Sequence, residues 1–381
     1  MIGHGVRRVH VLAWRDLDDR DAGGSEVHAD EFMRRWAAAG LEVLHRTSHA
    51  EGLPDVDRRN GYDVVRRGSR YSVFARTVAA ELTRRMGPYD ALVEIWNGVP
   101  WFSPVWCRRP HVTMLHHVHG PMWDQILPPP LAGAGRLLEA RIAPPFYRRT
   151  HTVTPSAATR AELIDLGFPP EQVTAVDNGI DPFFHPEGRR AERPVIVAVG
   201  RLAPVKRTAL VVAAMERVHE RVPHAELVIV GDGPLRGELE AQARAGSAAG
   251  SIRFTGHLGR EALREQYRRA WLVTSASLAE GWGLTMTEAA ACGAPAVASD
   301  ISGHRCSVIN GTTGVLVEPE HLGDALADLL LDDERRRRMS DAGLARAATL
   351  TWEASATGLL DVLAEVVRAR ATLHGRSRPR V

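Results

Sequence analysis

Two carboxylates, Glu280 and Glu288, stand with seven residues between them in the stretch SLAEGWGLTMTEAAACGAPAVASD, residues 277–300. Gly281 and Gly283 share the intervening turn, and a residue without a Cβ lets the backbone come close to a ligand. The run 284–292 is rich in helix formers, so its first N–H groups point free at the turn and favour an anion there. A carboxylate before the turn and another inside the helix can grip hydroxyls on either side of a bound diphosphate. That combination suits a nucleotide-sugar.

A second cluster of charge lies upstream. An apolar run at 195–199 ends in Gly200 and Arg201, and Lys206 follows near the start of a helix. Lys206 is the one lysine among 48 basic residues. Both cations could reach one diphosphate and supply fixed positive charge where a leaving group becomes negative. Taken singly, each also reads as a solvated charge beside a helix. Further upstream, His116, His117 and His119 follow the apolar run HVTML. A histidine at the C-terminal end of a parallel strand lies where open α/β sheets bind ligands. The triplet reads as active-site lining, as a structural polar group or as a metal site, although its spacing matches no zinc motif. Gly23 and Gly24, before the apolar positions Val27, Phe32 and Trp36, read as a tight turn or as a close approach to phosphate, with Ser25 as the expected helix cap.

The elements that must position these residues alternate. Val9, Val11 and Leu12 begin a buried strand, a helix follows the glycine pair, and LEVLHRTS starts the next strand, which makes a βαβ unit. Strands are expected at 90–96, 111–115, 195–199, again around 271–277, and once more after the helix that follows the glycine turn. Pro128, Pro129 and Pro130 mark a loop, and 131–149 reads as an arginine-rich amphipathic helix broken at Pro144 and Pro145. The arginine-rich run 333–339 reads as a solvated face, and the tail HGRSRPRV as disordered.

At 381 residues the chain has room for two domains, and 44% apolar with 25% charged residues is ordinary for a globular protein. A net charge of +2 makes no electrostatic case for nucleic acid. Cys107, Cys292 and Cys306 have neither metal-ligand nor disulfide spacing, which points to a reduced, cytoplasmic setting. No leader peptide and no membrane span is expected, which leaves peripheral contact at the inner membrane face through 131–149 open. The aspartates Asp16, Asp18, Asp19 and Asp21 precede the glycine pair and read as loop or acceptor contacts, not as a metal site.

The segment EGWGLTMTEAAACGAPAVAS resembles the donor-binding motif of retaining glycosyltransferases of family 4, with Trp282 where the usual form has phenylalanine. The segment GRLAPVK, Gly200 to Lys206 by number, resembles the family's phosphate-gripping G-R-x-x-x-x-K, and NGID its interdomain link. The resemblance covers essentially the whole chain and is stronger in the second half. It implies an α/β GT-B fold, with two Rossmann-like domains of parallel strands facing a central cleft. The expected bounds are 1–187 for the acceptor domain, joined by a closing helix at 355–373, and 188–354 for the donor domain. It further implies a UDP- or GDP-sugar donor, no cofactor or metal, and a glycan, glycolipid or small-molecule acceptor. His116, Glu280, Arg201 and Lys206 then carry the chemistry. Gly23, Gly24, Gly256, Leu258, Gly281, Trp282, Gly283, Leu284 and Glu288 join Arg201, Lys206 and Glu280 in holding the donor. The alternatives are a phosphorylase or sucrose-synthase-like enzyme of the same fold, an NAD-dependent oxidoreductase, which would want an early G-x-G-x-x-G turn that is missing, and an idle binder.

Overall fold

The computed structural model of the chain describes residues 5–19 and 22–376. Asp21 of the acidic stretch, residues 1–4 of the opening segment and residues 377–381 of the tail lie outside them. Two compact units result, Met1–Gly179 with Trp352–Val381, and Ile180–Thr351. The division falls at 179/180 and not at 187/188, because Ile180, Phe183 and Phe184 pack into the core of the second unit. There the Ile180 N–H also donates to the Leu350 carbonyl at 3.0 Å, tying the entering segment to the leaving one.

Among the described residues the first unit holds eight strands. They are β1 (Arg8–Leu12), β2 (Glu42–Thr47), β3 (Val56–Arg59), β4 (Tyr62–Arg66), β5 (Ala91–Trp96), β6 (His111–Leu115), β7 (Thr152–Thr154) and β8 (Val173–Ala175). Their order is β3-β4-β2-β1-β5-β6-β7-β8, and every pair is parallel except β3 with β4. That edge hairpin departs from the expected all-parallel sheet. Its turn is Asn60 and Gly61, with φ of 47° and 90°, the left-handed pair a two-residue hairpin demands. Helix Gly24–Ala38 links β1 to β2 and buries Phe32, Met33 and Trp36. Against it packs one continuous closing helix, Trp352–Arg376, which starts three residues earlier than the expected 355. Leu359, Leu360 and Leu363 of that helix join the same core, and the Trp36 indole N–H donates to the Ala356 carbonyl at 2.9 Å.

The second unit holds β9 (Val195–Val199), β10 (Glu226–Val230), β11 (Ile252–Gly256), β12 (Leu272–Ser275), β13 (Ala296–Ser299) and β14 (Gly314–Val317). They run parallel in the order β11-β10-β9-β12-β13-β14. Its helix Asp333–Ala347 is not a purely solvated face. Arg336 is buried, donates to the Leu329 and Leu330 carbonyls (3.1 and 2.9 Å) and lies 4.2 Å over the Trp271 ring. Among the described residues no helix is long and apolar enough to cross a membrane.

In each sheet the chain order reverses once, between β1 and β5 and between β9 and β12. The loops leaving such a pair diverge and open a crevice at the C-terminal strand ends, where open α/β sheets bind their ligands. In the second unit the loops after β9 and β10 meet backbone to backbone. A Cβ on Gly231, whose φ is +134°, would lie 2.0 Å from the Gly200 carbonyl oxygen. Gly231→Ala is therefore expected to cost about 3 kcal/mol or more, the sum of backbone strain and overpacking. Gly237→Ala, in helix Arg236–Ala245 with nothing within 4 Å of the new Cβ, should instead stabilise by roughly 0.5–1 kcal/mol. Chemical denaturation of the two variants checks both; equal midpoints would contradict the close approach.

Candidate active site

The reversal in the second unit brings Lys206 and Glu280 together. From β9 the chain runs through Gly200 and the exposed Arg201 into a short turn, Pro204–Lys206, and helix Thr208–Arg221. From β12 it runs through Ser277 and Glu280 to Gly283, whose φ of 91° starts helix Leu284–Ala291. Lys206 Nζ and Glu280 Oε1 form an ion pair between the two loops, and Ser277 Oγ donates to the same oxygen at 2.8 Å. Burial pushes the Glu280 carboxyl up. The charge on Lys206, the nearby His304 and the two hydrogen bonds outweigh that and hold it below its ordinary value. Glu280 is an anion. A small pocket beside the pair is lined by Gly200, Leu202, Lys206, Thr274 and Ser275.

Glu288 behaves differently. The Tyr267 hydroxyl donates to its Oε2 at 3.1 Å, yet burial dominates and pushes the carboxyl up to about 7. At neutral pH it can both donate and accept, whereas Glu280 only accepts. Leu284 is the first residue of the helix, and Gly281 lies half-buried in the turn before it. The Trp282 indole is buried. The Gly256 carbonyl already accepts from the Gly231 N–H (2.9 Å) and from Thr255 Oγ1 (3.0 Å), and Leu258 packs at the edge of the core.

Sequence reasoning missed three residues here. Arg207, left-handed at φ 46°, donates to the Ala276 and Ser277 carbonyls (2.7 and 3.0 Å) and so clamps the second loop to the first. His304 is fully buried, with Nδ1 2.8 Å from the Ser299 carbonyl, and a Cβ on Gly283 would meet its Cδ2 at 3.2 Å. Ser277 steadies Glu280. A histidine in the segment SGH, which opens helix Ser302–Ser307, and an arginine after the lone lysine carry no sequence signal for these contacts.

In the first unit the loops at the reversal are joined by Asn97 Nδ2, which donates to Ser25 Oγ at 3.2 Å. Ser25 is thus not the cap; the helix starts at Gly24 after Gly23, whose N–H donates to Glu26 Oε2 at 2.8 Å. Gly23 is extended (φ −146°) and a Cβ there would meet nothing nearer than 3.8 Å, so its own turn does not require glycine. His116 follows β6, is buried, and has Nε2 3.1 Å from His28 Nδ1. Burial holds its imidazole well below the ordinary 6.5. His117 stacks on His119 at 4.5 Å, and the backbone N–H groups of His119 and Gly120 donate to Glu139 at 2.8 and 2.9 Å. Among the described residues no group of three His, Cys, Asp or Glu could hold a metal ion.

Two aspartates of the acidic stretch and three tryptophans of the first unit are tied into its packing. Asp16 is fully buried and accepts from Arg59 and Arg66, both at 2.5 Å, while Asp19 accepts from Arg70 at 2.7 Å. Trp96, Trp101 and Trp123 are buried, their indole N–H groups donating to Gly98, Ile95 and Glu139. They belong to the core. Trp14 lies under the Arg15 guanidinium at 4.5 Å.

Comparison with known proteins agrees with this architecture. A family model described as glycosyl transferases group 1 matches residues 180–346, and one described as glycosyltransferase family 4 matches residues 22–183. A D-inositol 3-phosphate glycosyltransferase of Kribbella flavida is 31% identical over 88% of this chain and 89% of its own. A GDP-mannose-dependent alpha-(1-6)-phosphatidylinositol monomannoside mannosyltransferase of Mycobacterium tuberculosis is 27% identical over 93% of this chain and 97% of its own. Sucrose-phosphate synthase from Thermosynechococcus elongatus shares the fold, with a TM-score of 0.82 at 21% identity over 95% of this chain and all of that one.

The raised Glu288 has a stability consequence with a definite sign. Its folded value lies above its ordinary 4.5, so the folded state holds an extra proton in the window from about 4.5 to about 7. Stability falls as pH rises through that window. Glu288→Gln is expected to resist denaturant better than wild type near pH ~8 and about equally near pH ~5. A pH-independent difference between the two proteins would contradict the buried, proton-retaining carboxyl.

Proposed function

From the premise that the chain belongs to the group 1 glycosyltransferases of family 4, we propose that it transfers a hexose-type sugar from a UDP- or GDP-sugar to an acceptor hydroxyl with retention of configuration. The observation that carries this reading is the Lys206–Glu280 pair at the β9/β12 reversal, beside the start of helix Leu284–Ala291. Each member keeps the other compensated until a donor arrives. A sugar hydroxyl then replaces the lysine at Glu280, and a phosphate oxygen replaces the carboxylate at Lys206. Glu288, able to donate as well as accept, takes the ribose hydroxyls.

The bond between the anomeric carbon and the diphosphate oxygen breaks, leaving negative charge on that oxygen. Arg201, Lys206 and the free N–H groups of the helix start stabilise it, in the part a divalent cation otherwise plays. The acceptor oxygen bonds to the same face of the anomeric carbon, and its proton leaves with the diphosphate. His116 lines the sugar, and Gly23 and Gly24 admit close approach of ligand to backbone. The acceptor is a glycan, a glycolipid or a small molecule. In support of a lipid-borne acceptor, Ile126, Leu131, Leu137, Ile142 and Phe146 are exposed near Arg141, Arg148 and Arg149 in the sequence. Apolar groups among cations suit the anionic inner face of a membrane. The free thiols of Cys107, Cys292 and Cys306 support a cytoplasmic setting.

Thermal unfolding with UDP, GDP, ADP and NAD, each with and without EDTA, tests the donor reading. A ligand at ~100 times its Kd adds about 2.7 kcal/mol, so one nucleoside diphosphate should raise Tm clearly and regardless of EDTA. A rise with NAD alone would overturn the proposal. Lys206→Ala and Arg201→Ala are each expected to lower kcat by ~100- to 1000-fold, and Glu288→Ala to abolish turnover with the fold intact. Co-sedimentation with phosphatidylglycerol vesicles, lost in Phe146→Asp, checks the membrane contact; equal sedimentation of both proteins would remove it.

A further inference from the structure

Behind His116 stands a chain of buried polar groups that the transfer reaction as described does not use. His116 Nε2 lies 3.1 Å from His28 Nδ1, and His28 Nε2 lies 3.4 Å from Ser355 Oγ. All three side chains are buried, at 6%, 1% and 1% exposure. They come from three elements of the first unit: the end of β6, helix Gly24–Ala38 and helix Trp352–Arg376. The His28 ring is held edge-on to Phe32 (5.7 Å, 89°) and to His116 (5.1 Å, 85°), and lies 5.4 Å from Trp352. It cannot turn without disturbing the packing of both helices.

Both imidazoles are neutral. Burial lowers His28 to about 3 and His116 well below 6.5, and the neighbouring His28 and His117 push His116 the same way. A hydrogen bond between two neutral rings needs one N–H and one bare nitrogen, so the proton on one ring dictates the tautomer of the other. The chain can run two ways. If Ser355 donates to His28 and His28 to His116, then His116 carries its proton on Nδ1. That nitrogen is buried and has no hydrogen-bond partner among the described residues, so it would be an orphaned donor. If the chain runs from His116 Nε2–H to His28 Nδ1 and from His28 Nε2–H to Ser355 Oγ, then Nδ1 is a bare lone pair. Buried donors without acceptors are rarer than under-used acceptors, which selects the second direction.

We propose that His28 and Ser355 are positioning residues that fix His116 in the Nε2–H tautomer, presenting a bare Nδ1 that accepts a hydrogen bond from a ligand hydroxyl. The ligand class follows from the charge state. A neutral, buried nitrogen with a bare lone pair is satisfied by an O–H donor such as a sugar hydroxyl that reaches it, and repels phosphate or carboxylate oxygen. This rests on the reading of His116 as a residue that lines the transferred sugar.

The test uses the full chain labelled with 15N-histidine and long-range proton–nitrogen correlation spectra, which show which ring nitrogen carries the proton. Wild type should show His116 with its proton on Nε2. Ser355→Ala and His28→Phe should each turn that single tautomer into a mixture. Hydrolysis of UDP-glucose or GDP-mannose, whichever nucleotide raises Tm, should fall by roughly tenfold to a hundredfold in His28→Phe, as when the partner that orients a histidine is removed. The Kd for the nucleoside diphosphate should stay unchanged. His28→Asn, whose Oδ1 can accept from Nε2–H where Nδ1 did, should recover much of the loss. A wild-type proton on Nδ1, or an unchanged His116 spectrum in both variants, would overturn the proposal. Failure of the sugar-lining reading is distinguishable: His116→Ala would turn over normally while the wild-type tautomer stayed fixed.

Discussion

A carboxylate taken out of water must be compensated, and Glu280 is the carboxylate on which the second unit depends. Its partner, Lys206, is 74 residues earlier in the chain and reaches it because β9 and β12 are neighbours in the sheet. Much of the surrounding detail follows from keeping those two loops in register. Arg207 accepts a left-handed backbone in order to hold the Ala276 and Ser277 carbonyls. Gly303 must be glycine because a Cβ there would sit 2.2 Å from the Glu280 carbonyl oxygen. Such a pair adds little net stability, since desolvation offsets most of its attraction. Its value lies in what it offers a ligand: a cation and an anion already placed.

The two carboxylates of the motif are chemically unlike, and neighbours make them so. Glu280 stays ionised beside Lys206, while Glu288, bonded to the Tyr267 hydroxyl and dominated by burial, holds its proton up to about 7. The first unit follows another rule. Around His116 the polar groups are neutral, and burial keeps His28 and His116 uncharged. Charge is paired between the Lys206 and Glu280 loops and is avoided around His116.

Several features were legible in the residues because they rest on local rules. Buried parallel strands are continuous apolar runs, so HVTML and VIVAV stand out. A glycine turn followed by helix formers marks the start of helix Leu284–Ala291. The Asn60 and Gly61 hairpin obeyed an equally local rule and went unread, because the strands it joins are short and charged. Ser25 looked like a cap by type, yet the cap is Gly23, its backbone N–H bonded to Glu26, and the helix starts two residues earlier than a Ser25 cap would place it. The arginine-rich run 333–339 looked solvated by composition, yet Arg336 within it is buried against the Leu329 and Leu330 carbonyls.

By itself the sequence determined the alternating α/β pattern, the two-unit scale and the residue types of the donor motif, since periodicity, glycine placement and carboxylate spacing act over a few residues. Only the tertiary structure decided which of those residues meet. The strand orders that bring β9 beside β12 and β1 beside β5, the pairing of Lys206 with Glu280, the proton held by Glu288 and the hydrogen-bonded line from His116 through His28 to Ser355 all join segments far apart in the chain. Their physics is set by burial and by a neighbour's charge, and neither quantity exists until the chain has folded.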